Sequence, residues 1–271
     1  MKKIRLDVYL TDHALTDSRN LAQRLIMAGE VEVNGQIYLK PSQKIDPDSV
    51  VVLKSGPKYV SRGGEKLEPA LIAFDRTDLS GKICVDVGSS TGGFTDCLLQ
   101  HHADHVFAVD VGYGILHWKI RTDDRVTVME KTNARFIEGF DKPIDLVTID
   151  ASFISLKTLL PVIKNWLNMG GEVIALIKPQ FEAGKKDAAK GSGVIRDREV
   201  HRKVLLDVLN FSKENGFLIK DIQQSTLKGP KGNIEFLVHL IYGENHDSIE
   251  IENVVNALIP LEDGAGEKEN Q

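Results

Sequence analysis

The chain has 271 residues, of which 42% are hydrophobic and 27% charged, a balance typical of a globular protein with one full domain and a small one. It has no run of about 18 apolar residues that would cross a bilayer, and its N-terminal segment, MKKIRLDVYL, lacks the apolar stretch and cleavage site of a signal peptide. Two cysteines, Cys84 and Cys97, support neither a disulfide framework nor a cysteine-rich zinc site, so we expect a soluble cytoplasmic protein without stable membrane association.

The C-terminal end of the chain carries the net charge of −5. Residues 244–271 hold one Lys or Arg against eight Asp or Glu, whereas residues 1–60 hold nine against seven and residues 61–243 hold 24 of each. The acidic total therefore does not exclude a nucleic-acid partner. We assign residues 244–271 to a C-terminal helix and an acidic tail, and the composition predicts disorder from about residue 259 onward.

The first segment predicts a small α/β module. Apolar residues at helical spacing in RLDVYLTDHAL (Leu6 to Ala14) predict one helix, and Ser18 is placed to cap a second helix, SRNLAQRLIMAGE. The stretch EVEVNGQIYL predicts two short strands joined by an Asn34-Gly35 turn, and DSVVVLK predicts another strand.

This module resembles the S4 RNA-binding domain over roughly residues 3–54. The resemblance rests on two helices followed by a strand and the pattern GxVxVNG, from Gly29 to Gly35. It implies a basic groove for structured RNA, in which phosphate contacts supply affinity and shape supplies selectivity. We assign residues 1–58 to this domain and take Arg5, Arg19 and Arg24 as its candidate RNA contacts.

A different architecture follows residues 55–64, SGPKYVSRGG, which Gly and Pro mark as a linker. Five short apolar strand candidates recur about 20 to 28 residues apart with helical material between them: KICVDVG, HVFAVDVG, RVTVMEK, IDLVTID and EVIALIKP. Two more, FLIKDIQQS and IEFLVHLIY, follow without a long helix between them. The pattern predicts an α/β domain with a doubly wound, Rossmann-like parallel sheet that ends in an antiparallel hairpin.

The turn after the first strand, in DVGSSTGGFTD (Asp86 to Asp96), is the first candidate binding site. In an open α/β sheet, ligands bind beyond the carboxyl ends of the strands. Gly88 and Gly93 have the spacing of a P-loop, but Phe94 stands where the phosphate-binding lysine is required. A dinucleotide fold requires a second glycine at the position of Ser90. Both phosphate-containing classes of ligand are therefore disfavoured.

S-adenosylmethionine has no phosphate and is the ligand that remains. Asp86 would either organise the turn or bind the methionine ammonium group. Asp110, which follows Gly88 by 22 residues, is placed to accept hydrogen bonds from the ribose hydroxyls, and Asn133 to meet the adenine edge. Each residue alone would suit an ordinary turn, but their positions at three consecutive strand tips favour a cofactor. The turn residues that we assign to it are Gly88, Ser89, Ser90, Thr91, Gly92, Gly93 and Phe94.

The acceptor of the methyl group is constrained by the tip of the fourth strand, IDASFIS. It has no Asn/Asp-Pro-Pro-aromatic motif, which amino-methyltransferases of nucleic acids often carry, and neither cysteine is near it for attack on a cytosine carbon. The strand tips supply Asp150 and Lys178 instead. A lysine after the buried run VIALI is costly unless paired, and desolvation beside another cation would lower its pKa enough for it to act as a base.

The motifs SRGGEKL, DVGSSTGGFTDCLL, AVDVGYGILHWKIR, TIDASFISL and KPQFE together resemble the TlyA (haemolysin A) family of ribosomal RNA 2'-O-methyltransferases, over about residues 3–241. The catalytic domain, which we place at residues 59–243, is similar to the FtsJ type. In place of the usual Pro and Trp of the FtsJ turn stand Thr91 and Phe94, which agrees with the narrower family.

The resemblance implies a catalytic tetrad that serves the ribose 2'-hydroxyl of cytidine: Lys66, Asp150, Lys178 and Glu235. In that mechanism Lys178, held by Asp150 and Glu235, orients or deprotonates the hydroxyl, and Lys66 positions the ribose. By sequence alone, Lys66 and Glu235 would be surface residues. The partner implied is ribosomal RNA or a ribosomal subunit.

A loop beside the proposed base, residues 180–197, is either a solvated flexible loop or a lid that grips RNA. The candidate RNA contacts there, together with one before the first strand, are Lys185, Lys186, Lys190, Arg196 and Arg62. Cys97, His101 and His105 share helical spacing, but the helix is expected to end before His105, so we assign no metal site.

Two functions from other classes compete with the methyltransferase. The haemolysin name of the family suggests a membrane-active protein, but no basic amphipathic helix or spanning segment favours it. A non-catalytic RNA-binding factor would be favoured by the loss of a tetrad residue, and all four are present.

Overall fold

The chain folds into two units, Met1–Lys58 and Tyr59–Gln271. The computed structural model describes residues 3–16, 18–54, 57–184, 191, 193–243 and 249–260. Three lysines of the predicted lid (Lys185, Lys186 and Lys190) and the acidic tail from residue 261 lie outside the described residues.

The first unit consists of two short helices and two small antiparallel sheets. Its helices are α1 (Leu6–Asp12) and α2 (Arg19–Met27), and its strands are β1 (Ile4–Arg5), β2 (Val31–Val33), β3 (Gln36–Ile37), β4 (Lys44–Ile45) and β5 (Val51–Leu53). Strand β1 pairs with β4, and the other sheet has the order β3-β2-β5. Buried side chains from both helices and from β2 form one apolar core, which includes Leu6, Leu10 and Ile26.

Local sequence signals explain these elements. The Ser18 hydroxyl accepts a hydrogen bond from the backbone N–H of Leu21, which confirms it as the cap of α2. Asn34 and Gly35 both have left-handed backbone angles, with φ of 50° and 81°, as a two-residue hairpin between β2 and β3 requires. Helix α1 ends at Asp12, so the expectation that it continues to Ala14, whose φ is 53°, is wrong.

The second unit is a larger α/β domain. Its strands are β6 (Ile83–Val87), β7 (His105–Val109), β8 (Val126–Met129), β9 (Ile144–Ile149), β10 (Leu167–Ile177), β11 (Phe217–Gln224) and β12 (Phe236–Tyr242). Its helices are α3 (Arg62–Ala73), α4 (Gly93–Gln100), α5 (Trp118–Arg121), α6 (Leu156–Ile163), α7 (Pro179–Glu182), α8 (Arg198–Glu214) and α9 (Ile251–Leu258). Short 3₁₀ turns lie at Ala134–Phe136 and Pro230–Gly232.

All seven strands of this unit form one sheet in the order β11-β12-β10-β9-β6-β7-β8. The five strands from β6 to β10 are parallel to one another, whereas β12 is antiparallel to both β10 and β11. The predicted doubly wound sheet with a final antiparallel hairpin is therefore confirmed. The parallel strands place their carboxyl ends, with Gly88, Asp110 and Asp150, along one edge.

Helices cover both faces of this sheet. Alternate residues of β10 belong to two separate apolar clusters: Val173 packs with α6 and α8, whereas Ile174 packs with α3 and α4. A strand buried on both faces reads as a continuous apolar run, which explains why VIALI was recognisable in the sequence. The strand is longer than expected, however, because it begins at Leu167.

The predicted linker, residues 55–64, needs a correction. Of its described residues, Tyr59 is buried in the core of the second unit, with 1% of its surface exposed, and helix α3 already begins at Arg62. The glycines that suggested a linker have another reason to be there: a Cβ at Gly64 would lie 2.2 Å from Cγ of Tyr59. Residues 59–64 therefore belong to the packed second unit.

In the described part of the chain, no helix is both long enough and apolar enough to cross a membrane.

Candidate active site

The turn between β6 and α4 is built around two glycines in the left-handed region. Gly88 has a φ of 86°, and a Cβ added there would lie 2.8 Å from the backbone oxygen of Asp150 at the tip of β9. Gly92 has a φ of 96° and is the N-terminal cap of α4. The turn can thus lie directly against the tip of β9, which a side chain at Gly88 would prevent.

Asp86 lies beneath this turn and is fully buried. Its carboxylate accepts hydrogen bonds from the hydroxyls of Thr95 on α4, at 2.6 Å, and Thr148 on β9, at 3.2 Å. Burial raises the pKa of Asp86 to about 7, because the ionised carboxylate is poorly solvated there. Of its two expected roles, the contacts support organising the turn.

A cleft of about 510 Å³ opens in front of the turn. Its lining comes from the tips of four strands and includes Gly88, Ser90, Asp110, Asn133 and Asp150. The remaining lining residues are Val87, Val109, Val111, Thr132, Ala134, Arg135, Ala151, Ser152, Phe153, Ile154 and Leu159. A cleft of this size is within the range of about 300–1,000 Å³ that small-molecule ligands occupy.

Asp110 and Asn133 are both held by backbone N–H groups. The two carboxylate oxygens of Asp110 accept from Gly112, at 2.7 Å, and from Ser90, at 2.8 Å. The side-chain oxygen of Asn133 accepts from the N–H of Arg135 at 3.1 Å. Because a carboxylate oxygen has two lone-pair sites, Asp110 keeps acceptor capacity for a ligand while its orientation is fixed.

A smaller cleft of about 290 Å³ adjoins the first, and both are lined by Gly88, Ser90, Asp150 and Ser152. The smaller cleft is also lined by Ser61, Arg62, Gly63, Lys66, Ser89, Thr91, Gly93, Phe94 and Lys178. Three members of the predicted tetrad thus line a single cleft beside the glycine turn. Of the predicted cofactor residues, four line only the smaller cleft, namely Ser89, Thr91, Gly93 and Phe94, and Asp86 and Gly92 line neither.

Lys178 and Asp150 form the first ion pair of this cleft. The Lys178 Nζ lies 2.5 Å from Oδ1 of Asp150, and only 6% of Lys178 is exposed. The same Nζ donates to the Asp150 backbone oxygen at 3.3 Å and to the Ser152 hydroxyl at 3.2 Å. Oδ1 of Asp150 is buried and meets the ammonium group outside hydrogen-bond geometry. Asp150 and Ser152 together fix the position of the lysine.

Lys66 and Glu235 form the second ion pair, with Nζ 2.7 Å from Oε2. The other oxygen of Glu235 accepts from the side-chain amide of Gln180 at 3.0 Å. The expectation that Glu235 holds Lys178 is therefore wrong, because Glu235 binds Lys66 and Gln180. Nor are Lys66 and Glu235 surface residues: their side chains are 11% and 0% exposed.

Sequence reasoning missed Gln180 and Ser152 as members of the site. Both lie in motifs that were singled out, KPQFE and DASFIS, but an amide or hydroxyl at a strand tip has no spacing that distinguishes it from a loop residue. The Oε1 atom of Gln180 is buried and has no hydrogen-bond partner among the described residues.

Neither cysteine lines the two clefts. Cys84 lies on β6 and Cys97 on α4, and both are buried. Burial raises the pKa of the Cys84 thiol, so the reactive thiolate is disfavoured.

The histidines that share helical spacing with Cys97 lie on different elements. As expected, α4 ends before His105, which is the first residue of β7, and the His105 ring contacts the Thr127 hydroxyl at 2.9 Å. His101 contacts the backbone oxygen of Thr77 at 2.8 Å.

The predicted RNA contacts of the first unit form a cluster around a buried carboxylate. Both Arg5 and Arg19 bind Asp7, at 2.9 and 3.0 Å, and Asp7 also accepts from Gln23. The Arg5 guanidinium holds the pKa of Asp7 well below its usual range. Arg24 is exposed on the same helix, α2, as Arg19.

The remaining predicted RNA contacts that the structure describes lie in the second unit. Arg62 begins α3, is exposed and lines the smaller cleft. Arg196 is exposed two residues before the start of α8. Of these two described residues, only Arg62 lines the smaller cleft.

Known proteins resemble this chain over most of its length. A family model described as FtsJ-like methyltransferase matches residues 59–242, and one described as S4 domain matches residues 4–51. YqxC of Bacillus subtilis, described as a candidate rRNA methyltransferase, is 48% identical over 255 residues, which cover 92% of this chain and 90% of that protein.

Two further relatives are similar in sequence or structure. The 16S/23S rRNA (cytidine-2'-O)-methyltransferase TlyA of Mycobacterium tuberculosis is 40% identical over 243 residues, which cover 88% of this chain and 90% of that protein. A solved structure from Streptococcus thermophilus, described as a candidate hemolysin, matches with a TM-score of 0.70 and 43% identity, covering 95% of this chain and 96% of that one.

Proposed function

The chain belongs to the FtsJ-like methyltransferase family, and from this premise we propose that it is an S-adenosylmethionine-dependent 2'-O-methyltransferase of ribosomal RNA that acts at cytidine. The observation that carries the proposal is the pair of lysine–carboxylate contacts, Lys178 with Asp150 and Lys66 with Glu235, in a cleft that adjoins the glycine turn. The relative named for 2'-O-methylation of cytidine in rRNA supports this acceptor.

The residues of the larger cleft fit the cofactor. Gly88 lines the cleft without a side chain, Asp110 keeps acceptor capacity for ribose hydroxyls, and Asn133 would lie at the adenine edge. When bound, S-adenosylmethionine supplies an activated methyl group on a positively charged sulfur. Gly88, Ser90 and Asp150 line both clefts, so donor and acceptor would meet along this shared wall.

The chain's own residues align the hydroxyl and manage its proton. Lys178, held by Asp150 and Ser152, either donates a hydrogen bond that orients the 2'-hydroxyl or, as the neutral amine, takes its proton when the oxygen forms the new bond to carbon. Lys66 would contact the ribose or its phosphate, and Glu235 keeps Lys66 in place. The burial of both cysteines argues against attack by a thiolate.

The first unit supplies the proposed RNA-binding module. Arg5 and Arg19 are oriented side by side by Asp7, so their guanidinium groups are presented in a fixed arrangement, and Arg24 adds charge on the same helix as Arg19. A preordered group loses less entropy when it binds a phosphate. A ribosomal RNA substrate supports a cytoplasmic location, which we include in the proposal.

The test is transfer of labelled methyl from S-adenosylmethionine to purified ribosomal subunits, followed by mapping of the 2'-O-methylated nucleotides. We expect Lys178→Met and Asp150→Asn to reduce the rate by about 100-fold or more, the scale of positioned acid–base groups. Binding of S-adenosylmethionine, measured by calorimetry, should persist in Lys178→Met, and the exposed control Lys142→Met should retain full activity. Full activity of Lys178→Met would refute the mechanism.

A further inference from the structure

Two aromatic rings stand exposed at the carboxyl edge of the sheet, where burial would be the default for such side chains. Tyr113, in the loop after β7, is 71% exposed, and Phe136, after β8, is 76% exposed. Large exposed apolar groups beside a functional cleft commonly mark an interaction surface.

A cation lies over each of these rings. The Lys131 Nζ is 4.2 Å from the centroid of Tyr113, and the Arg135 guanidinium carbon is 5.7 Å from that of Phe136. We call these four residues the strand-tip platform: Tyr113, Lys131, Arg135 and Phe136. The platform therefore consists of two aromatic rings, each with a positively charged side chain beside it.

The two cations of the platform have no ion-pair partner among the residues that the structure describes. Two other cations of the same unit do have carboxylate partners: Lys119 pairs with Asp96, and Arg121 pairs with Glu130. Charge that is left unpaired at the rim of a cleft attracts an anionic partner.

Hydrogen bonds between the two loops hold the platform in place. The Lys131 N–H donates to the Gly112 oxygen at 2.8 Å, and the Gly114 N–H donates to the Glu130 carboxylate at 2.9 Å. Lys131 itself has a φ of 52°, a conformation that non-glycine residues adopt at an energetic cost and that is often found at functional positions. The rings are thus presented by a fixed scaffold.

The platform is continuous with the larger cleft. Arg135 lines that cleft, as do Val111 and Asn133 from the same two loops. Because Gly88, Ser90, Asp150 and Ser152 line both clefts, the larger cleft connects the platform with the smaller cleft, which Lys66, Asp150 and Lys178 line.

We propose that the strand-tip platform binds unpaired nucleotides of the substrate RNA that flank the methylated one, with bases stacked on Tyr113 and Phe136 and phosphates paired with Lys131 and Arg135. Aromatic rings interleaved with cations are the surface that single-stranded nucleic acids favour. The inference rests on the proposed function for the identity of the substrate.

Another protein is the competing occupant, and the charge argues against it. Val111 and Ile115 on the same loop add exposed apolar surface that a protein could cover. However, burying Lys131 and Arg135 in such an interface without anionic partners would be costly, whereas RNA supplies a phosphate at every nucleotide.

The experiment measures RNA binding without cofactor and methyl transfer separately, in the full-length protein. A short fluorescein-labelled single-stranded RNA is the binding probe, and ribosomal subunits are the methyl acceptor. The variants are Tyr113→Ala with Phe136→Ala, the same pair changed to Leu, and Tyr113→Phe with Phe136→Tyr. Exposed apolar residues elsewhere in the unit, Ile72 and Met169, supply the control changes to Ala.

We expect the Ala and Leu pairs to weaken RNA binding by about five-fold or more, the effect of losing a base stack. KM for subunits should rise while kcat at saturating substrate and the affinity for S-adenosylmethionine are retained. The aromatic swap and both controls should behave as wild type.

Wild-type RNA affinity and KM in the Ala pair would overturn the proposal. Leu variants that bind RNA as wild type does would also overturn it, because the surface would then need apolar bulk rather than an aromatic ring. If the wild-type protein transfers no methyl but still binds RNA through the platform, the proposed function fails and the platform stands.

Discussion

Glu235→Gln tests the buried ion pair of the site by removing a charge while keeping the shape of the side chain. Glu235 is fully buried at its side chain, and Lys66, 2.7 Å away, keeps 11% exposure, so the variant leaves a nearly buried ammonium group without its carboxylate. Removing one partner of such a pair costs about 3–5 kcal/mol, and the residual exposure of Lys66 places the expected loss near 3 kcal/mol. For a unit of this size that corresponds to a fall in Tm of roughly 6–12 °C.

Urea unfolding followed by circular dichroism measures this free energy, with Asp207→Asn as the matched control. Asp207 pairs with Lys157 at an exposed position, where loss of the pair should cost about 0–1 kcal/mol. Changing both Lys66 and Glu235 to Met should recover much of the stability, because no uncompensated charge is left, but should not recover methyl transfer. If Glu235→Gln loses no more unfolding free energy than Asp207→Asn does, the pair of Lys66 and Glu235 is not desolvated as described.

Three further predictions concern the glycine turn and the residues that support it. Gly88→Ala should abolish cofactor binding and destabilise the protein more than Gly81→Ala, because both have positive φ but only Gly88 faces backbone atoms at clash distance; equal unfolding free energies would contradict this. Asp86, whose pKa is raised to about 7, stabilises the fold at low pH and loses this contribution as pH rises from about 4 to 7, worth about 1.4 kcal/mol per pKa unit at most. Asp86→Asn should therefore gain stability relative to wild type as pH rises from about 4 to 7 in urea titrations, and parallel pH profiles would refute it. Gln180→Leu should cost about 1.5–3 kcal/mol of unfolding free energy, since Glu235 loses a hydrogen bond to its charged group; unchanged unfolding would show that this contact is dispensable.

The sheet could be predicted because its parallel strands are buried on both faces. Runs such as VIALI are then apolar throughout, and the helices between them impose their own spacing. Asp110 and Asp150 were placed at one edge by the same argument, since parallel strands share a carboxyl end. The kind of ligand at the glycine turn could also be predicted, because the turn lacks residues that phosphate-containing ligands require. Phe94 replaces the lysine of a P-loop, and Ser90 replaces the second glycine of a dinucleotide-binding turn.

The partners within the site could not be predicted in the same way. Glu235 was assigned by resemblance, and nothing in the local sequence shows that it binds Lys66 and Gln180 rather than Lys178. Which partner it takes depends on where β12 enters the sheet, between β10 and β11, and this is a long-range property. The glycines of residues 55–64 predict a flexible linker, and this prediction fails for a related reason. Gly64 is needed for close packing against Tyr59, a contact that the local sequence does not show.

The contact between Lys66 and Glu235 joins residues 169 positions apart, the first on α3 and the second just before the last strand of the sheet. During biosynthesis, the ammonium group of Lys66 therefore waits for its counter-ion until almost the whole catalytic unit has been translated. Strand β10 likewise has one open edge until β12 pairs with it. Completion of the sheet and assembly of the proposed catalytic group thus depend on the same late segment of the chain.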